Sequence, residues 1–146
     1  MIAIDTDVLA VYHIFHNNPR YNATRNFFAK ISGQPRAVTI FNLLELCGLF
    51  ASANRVKESK NIFERYIKAE NITILFPLFA SEHKQAFWLT LVSECFSRIQ
   101  KGMRLGDAVI LWTLETNENI DSFVTWNTKH FSDKTPIKLL SPPDFL

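Results

Sequence analysis

Apolar residues recur along this chain in two periods. Ile2, Ala3 and Ile4 form a short unbroken run, the mark of a strand buried on both faces. The run stops at Asp5, Thr6 and Asp7, polar residues able to cap a helix. Val8, Leu9, Val11, Tyr12 and Phe15 then continue at helix-like spacing, so the chain opens strand, acidic turn, helix. His16-Asn17-Asn18-Pro19 breaks the pattern. A second helix is predicted over 21–31, carrying Phe27, Phe28 and Ile31, and after the turn at Ser32-Gly33-Gln34-Pro35 comes a short strand at Ala37 and Val38. A third helix covers roughly 41–53, with Phe41, Leu44, Leu49 and Phe50 as its apolar face. Residues 55–69 form a charged amphipathic helix with Val56, Ile62, Phe63, Tyr66 and Ile67 inward.

A strand over 72–76 ends at Pro77. A long helix over 79–98 carries Ala86, Phe87, Leu89, Leu91, Val92 and Phe96, and a strongly apolar helix covers 105–115. Phe123-Val124-Thr125 is a strand that stops at Asn127, 137–140 is a last short strand, and Pro142 and Pro143 close the chain. Strands alternating with helices predict an α/β fold with a mostly parallel sheet covered on both faces. The carboxyl ends of parallel strands share one edge, where ligands bind in such sheets. Residues just after different strands can therefore meet there.

Composition narrows the picture. A chain of 146 residues with 47% hydrophobic positions and 13 Phe can bury a real core; it is read as a single domain, 1–146. No apolar run approaches the roughly 20 residues of a membrane span, and the Ile2–Ile4 run is too short for a signal-peptide core and has no basic region before it, so a soluble cytoplasmic protein is expected. Cys47 and Cys95 lack metal-site spacing and are read as reduced core residues. His13, His16, His83 and His130 are scattered, without a zinc motif. A net charge of +2 and a pI of about 8.6 allow nucleic-acid binding without demonstrating it.

The acidic residues carry the candidate chemistry. Most of the 14 lie in polar surroundings. Asp5 ends the first strand. Glu45 is flanked by Leu43, Leu44 and Leu46 and lies one helical turn from Phe41 and Leu49, inside the apolar stripe, where an unpaired carboxylate is costly to bury. Asp107 follows Gly106 in the first turn of the most apolar helix, where the helix dipole favours it. Asn127 lies just after a strand. All four can converge on one edge of the sheet. Taken singly, each has a plain explanation as a cap, a stripe-edge residue or a turn residue. Taken together, several carboxylates in one cleft repel one another, and a divalent cation removes the conflict. Oxygen-only ligands suit Mg²⁺ or Mn²⁺, which can activate a water for displacement at a phosphate. The expectation is metal-dependent phosphoester hydrolysis.

Four motifs in order then resemble a known family. Ile4-Asp5-Thr6-Asp7-Val8-Leu9, Thr39-Ile40-Phe41-Asn42-Leu43-Leu44-Glu45-Leu46, Leu105-Gly106-Asp107-Ala108 and Phe123-Val124-Thr125-Trp126-Asn127-Thr128-Lys129-His130-Phe131 are similar to the motifs of PIN domains, specifically VapC-like toxin ribonucleases. The resemblance implies a three-layer α/β/α sandwich and often a homodimer. It also implies Mg²⁺- or Mn²⁺-dependent cleavage of RNA and inhibition by a cognate antitoxin. Carried over by position, Asp5, Glu45 and Asp107 are the metal-binding acids. Asn127 occupies a fourth catalytic position, and Thr6 and Thr125 are supporting hydroxyls. Two positions depart from the family: Asn127 stands where many members have an acid, which removes a charge from any second metal, and Asp7 stands where Asn or Ser is common, read here chiefly as a helix cap. Arg20, Arg25, Lys101, Arg104 and Lys129 are candidates for holding phosphates. The helices over 21–69 are a candidate dimer or antitoxin surface.

Asp5-Thr6-Asp7 also resembles the strand-end motif of haloacid-dehalogenase-like phosphatases, which use an aspartyl nucleophile, but that reading leaves Glu45 unexplained. The alternative from another class is a catalytically degenerate PIN-like module that binds RNA or a protein.

Overall fold

β1 (Ile2–Ile4) is the middle strand of a five-stranded sheet. The structure, a computed structural model, describes residues 1–78 and 84–146. Within them the chain runs through α1 (Thr6–His13), α2 (Tyr21–Lys30), β2 (Arg36–Thr39), α3 (Ile40–Ser52), α4 (Val56–Ile67), β3 (Ile72–Leu75), α5 (Lys84–Gln100), α6 (Leu105–Thr116), β4 (Ser122–Val124), α7 (Thr128–Phe131) and β5 (Leu139–Leu140), then a 3-10 turn at Pro142–Phe145. The strand order is β3-β2-β1-β4-β5, and all four neighbouring pairs are parallel. Chain order turns back at the β1–β4 boundary, the point where open α/β sheets form their ligand crevice.

The period-two alternation of the strands sorts their side chains into two cores. Ile2, Ile4, Val38 and Val124 face one side, packed with Leu9 of α1, Phe27 of α2, Leu43 and Leu46 of α3 and Ile62 of α4. Ala3, Ala37, Leu75 and Phe123 face the other, packed with Cys95 of α5, Leu111 and Leu114 of α6 and Phe131 of α7. The three layers are those the motif resemblance implies. No helix among the described residues is long and apolar enough to cross a membrane. Both cysteines are unbridged; Cys95 is buried and Cys47 half-buried.

Three expectations change. α7 lies where only a turn was expected; its four residues are too few to show helical periodicity. The core face of α3 is Asn42, Leu43, Leu46 and Phe50, while Leu44 and Leu49 are 52% and 38% exposed. Apolar residues surround this helix, so the stripe containing Phe41, Leu44 and Leu49 was taken for the core face when it borders a groove. The core face differs in α4 too, where Ile62 and Tyr66 are buried but Val56 and Ile67, expected inward, are exposed. In α5, Leu89, Val92 and Phe96 are exposed and Cys95 alone is fully buried; the part of this helix expected over 79–83 lies outside the described residues.

Candidate active site

The parallel register places the ends of β1 and β4 side by side: Ile4 pairs with Val124, and the Asp5 N–H donates to the Val124 carbonyl at 2.9 Å. Asp5 therefore sits at the crevice, held by backbone pairing. It is also the residue that caps α1, its Oδ1 accepting from the Thr6 N–H at 2.7 Å. Asp7, expected to cap, does something else. Its carboxylate accepts from the Trp126 N–H at 3.0 Å and the Thr125 hydroxyl at 3.2 Å, which fastens α1 to the turn after β4. That turn carries Asn127, the residue before α7.

α3 enters the site through a polar chain. The Thr39 hydroxyl caps the helix by accepting from the Asn42 N–H at 3.0 Å and donates to the Asn42 side-chain oxygen at 2.6 Å. The Asn42 amide in turn donates to Asp5 Oδ1 at 3.2 Å and to Thr6 Oγ1 at 3.0 Å. Thr6 completes the chain by donating to Glu45 Oε2 at 2.5 Å. Glu45 is exposed, contrary to the burial expected from its leucine neighbours, because its stripe faces the cleft and not the core. A Cβ added at Gly106 would meet Glu45 Oε1 at 3.4 Å, so α3 and the start of α6 close on each other at this carboxylate. One residue on, Asp107 Oδ2 lies 3.0 Å from His130 Nε2 of α7.

Asp5, Thr6, Asp7, Glu45, Asp107 and Asn127 line a single cleft of about 420 Å³. All four sequence-predicted site residues are thus brought together. Sequence reasoning missed Asn42 and His130. Asn42 had a signal: it shares a face with Glu45 at a spacing of three in an otherwise apolar helix. His130 had none, since its partner lies 23 positions away. Among the basic candidates, Arg20 lines the cleft, with its guanidinium 5.0 Å from the centre of the Trp126 ring. Arg25 lines a different cavity, and Arg104 and Lys129 are exposed. A larger groove of about 740 Å³, almost wholly apolar, adjoins the cleft and shares Glu45 with it.

The electrostatics are those of crowded acids. Asp5 is 8% exposed. Burial, then the neighbouring Asp7, then Asp107 push its carboxyl up to about 8, against the hydroxyl of Thr125 and the N–H of Thr6. Burial also raises Asp7, with Trp126, Thr125 and Arg20 opposing. Among the described residues, no three His, Cys, Asp or Glu side chains converge closely enough to form a ready-made metal cage. The donor chemistry still fits a hard divalent cation. Every donor is oxygen, the cleft is open, and such a cation needs only one or two carboxylates while keeping several waters. It would also remove the repulsion that raises Asp5.

No protein-family model and no curated protein matches this sequence. Solved structures do match along nearly the whole chain. VapC20 of Mycobacterium tuberculosis, a sarcin-ricin-loop-cleaving toxin, aligns over 92% of this chain and 96% of its own at a TM-score of 0.69 and 10% identity. VapBC2 of Rickettsia felis, bound to a DNA fragment from its promoter, aligns over 97% and 98% at 0.60 and 20% identity. FitAcB of Neisseria gonorrhoeae aligns over the same shares at 0.60 and 16% identity. The parallel five-stranded sandwich of this chain, with acids gathered at the β1–β4 switch point, is the PIN-like fold of the VapC-type toxin structures.

Proposed function

We propose that the cleft is the active site of a metal-dependent endoribonuclease and that the chain is the toxin of a toxin–antitoxin pair. The observation that carries this is the geometry: Asp5, buried at the end of the central strand, shares one cleft with Asp7, Glu45 and Asp107, and burial, then Asp7, then Asp107 push its carboxyl up to about 8. Such a group is poised for a cation. Asp5 and Asp107, with Glu45, are the residues that would hold Mg²⁺ or Mn²⁺. When bound, the ion would supply an activated water and positive charge for phosphodiester hydrolysis.

The chain's own residues position the donors. The Asn42 amide orients Asp5, the Thr6 hydroxyl orients Glu45, and His130 holds Asp107. Asp7 fixes the turn that sets Asn127 at the rim. Arg20, braced on Trp126, lines the cleft with the acids and suits an RNA phosphate. The likeness in fold to a toxin that cleaves an RNA loop supports RNA as the substrate class. The likeness to toxin–antitoxin complexes supports an antitoxin partner. The groove beside Glu45, with Leu44, Val92, Phe96 and Leu105 each more than half exposed, is the surface such a partner or a second copy of the chain would cover.

Cleavage of a mixed RNA panel in Mn²⁺, Mg²⁺ or EDTA, comparing the native chain with Asp107→Asn, tests the reading. Metal-dependent cuts that vanish in the variant are expected. The uncharged Asn127 at the rim favours a second reading, a PIN-like module that binds RNA or protein without cutting. Folded native protein, free of inhibitor, that cuts nothing in any metal would select it.

A further inference from the structure

The opposite edge of the sheet holds a cavity of about 550 Å³ beneath α1, α2 and α4, near the amino ends of β2 and β3. Three arginines line it, Arg25 from α2, Arg36 from β2 and Arg65 from α4, and no Asp or Glu does. Among the described residues none of the three forms an ion pair. Arg36 is the anomaly. It occupies the strand position that shares a face with Val38, a core residue, and its Nε is shielded from water with no hydrogen-bond partner. Arg98 also has a shielded, unpaired Nε, but its remaining nitrogens reach Glu115 and Glu94. Among the described residues Arg36 has no carboxylate partner. Arg36 is half-buried, while Arg25 and Arg65 are exposed at the mouth of the cavity; drawing even part of a guanidinium out of water beside like charges is unfavourable unless something answers it.

Three aromatic rings join aliphatic residues in the rest of the wall. Tyr12 and Phe28 pack at 4.3 Å between ring centres with their planes tilted by 38°, and Tyr66 also lines the cavity, its hydroxyl 2.8 Å from His13. Three guanidiniums exceed what one carboxylate uses and suit a phosphate dianion, which accepts several forked donors. Flat apolar walls suit a planar ring, and the volume is that of a small-molecule site.

We propose that this cavity binds a nucleoside monophosphate, its phosphate among Arg25, Arg36 and Arg65 and its base against Tyr12 and Phe28. The ligand is either a free nucleotide or the 5′-phosphorylated end of an RNA strand. The site is separate from the acidic cleft and does not depend on the activity assigned there.

Calorimetric titration in EDTA tests it, with AMP, adenosine, and a short oligoribonucleotide carrying a 5′-phosphate or a 5′-hydroxyl. Saturable binding of AMP is expected, weakened about tenfold or more by Arg36→Gln and by Arg65→Gln, unchanged by Asp107→Asn, and absent for adenosine. Binding by the phosphorylated oligonucleotide, and not its hydroxyl form, identifies the RNA end as the source; binding by AMP alone identifies the free nucleotide. Should Arg36→Gln fail to fold, the doubly exposed pair Arg25→Gln and Arg65→Gln carries the same expectation. No saturable binding of AMP or of the phosphorylated oligonucleotide at millimolar concentration, or binding indifferent to the arginine variants, overturns the proposal.

Discussion

The two ends of helix α1 stand in opposite electrostatic worlds. At its start, Asp5 and Asp7 lie in a cleft with Glu45 and Asp107. At its end, His13 faces a cavity lined by Arg25, Arg36 and Arg65. In both places burial is the largest cause of the shifted protonation and like charge adds to it. Asp5 is pushed up to about 8 with help from Asp7 and Asp107, and His13 is lowered to about 4 with help from Arg65 and His16. A structural ion-pair network would show the reverse, each charge answered by its opposite, as Arg98 is by Glu115 at 2.6 Å. Crowded charge predominantly of one sign at a crevice is a mark of a binding site. In the proposed readings, a cation would answer one end and an anion the other.

The largest effects should come from removing an acid. Asp107→Asn is expected to lower metal-dependent RNA cleavage by about 10²–10³-fold, the scale seen when a preorganised charge at a reacting centre is lost. Retention of full cleavage would break the cation side of the comparison. His130→Ala should cost about 10–100-fold in cleavage or metal affinity, as loss of a residue that holds a ligand in place does, with little change in the unfolding midpoint. Native activity in His130→Ala would reduce the contact with Asp107 to packing.

The pH dependence of stability, measured by urea unfolding in EDTA, separates the two ends. Asp5 binds its proton more tightly folded than unfolded, so its contribution is lost as pH rises from about 4 to about 8. His13 binds its proton less tightly folded than unfolded, so its contribution is complete above about 6.5 and is lost as pH falls toward about 4. Between pH 6.5 and 8 only the acidic end acts: native stability should fall, and Asp5→Asn should flatten the profile. Between pH 6.5 and 4 the two oppose. There Asp5→Asn should lose stability on acidification, by about 1–3 kcal/mol from His13, and His13→Gln should gain it. Identical profiles for native protein and both variants would contradict the assigned origins. The smallest effect is expected from Asn127→Asp. A fourth carboxylate at the exposed rim should tighten Mn²⁺ binding a few-fold, about 1 kcal/mol, by calorimetry.

Much of this comparison was legible in the sequence, and its gaps have physical causes. The apolar run before Asp5 and the polar break after it located the central strand and the crevice, because strand ends in a parallel sheet must share an edge. Asp107 was legible for a similar reason, as a carboxylate in the first turn of a buried helix. Glu45 was selected for the wrong reason. Its stripe of Phe41, Leu44 and Leu49 was taken as core, and in a helix apolar on several sides local pattern cannot say which stripe meets the sheet. Asn42 had only its spacing from Glu45 to mark it; the roles of Asp7 and His130 depend on contacts 119 and 23 positions apart, which no local signal encodes. The arginine cavity was invisible for the same reason. Arg25 looked like a substrate contact, and only the packing of α2 and α4 over β2 sets it beside Arg36 and Arg65.

The central claim, that crowded acids at the β1–β4 switch point await a divalent cation, is tested most directly by calorimetric Mn²⁺ titration at pH 7 of the native chain, Asp5→Asn and Asp107→Asn. Saturable binding by the native chain, accompanied by a rise in its unfolding temperature and lost in both variants, is the expected result. Absent binding, or binding that survives both substitutions, would contradict it.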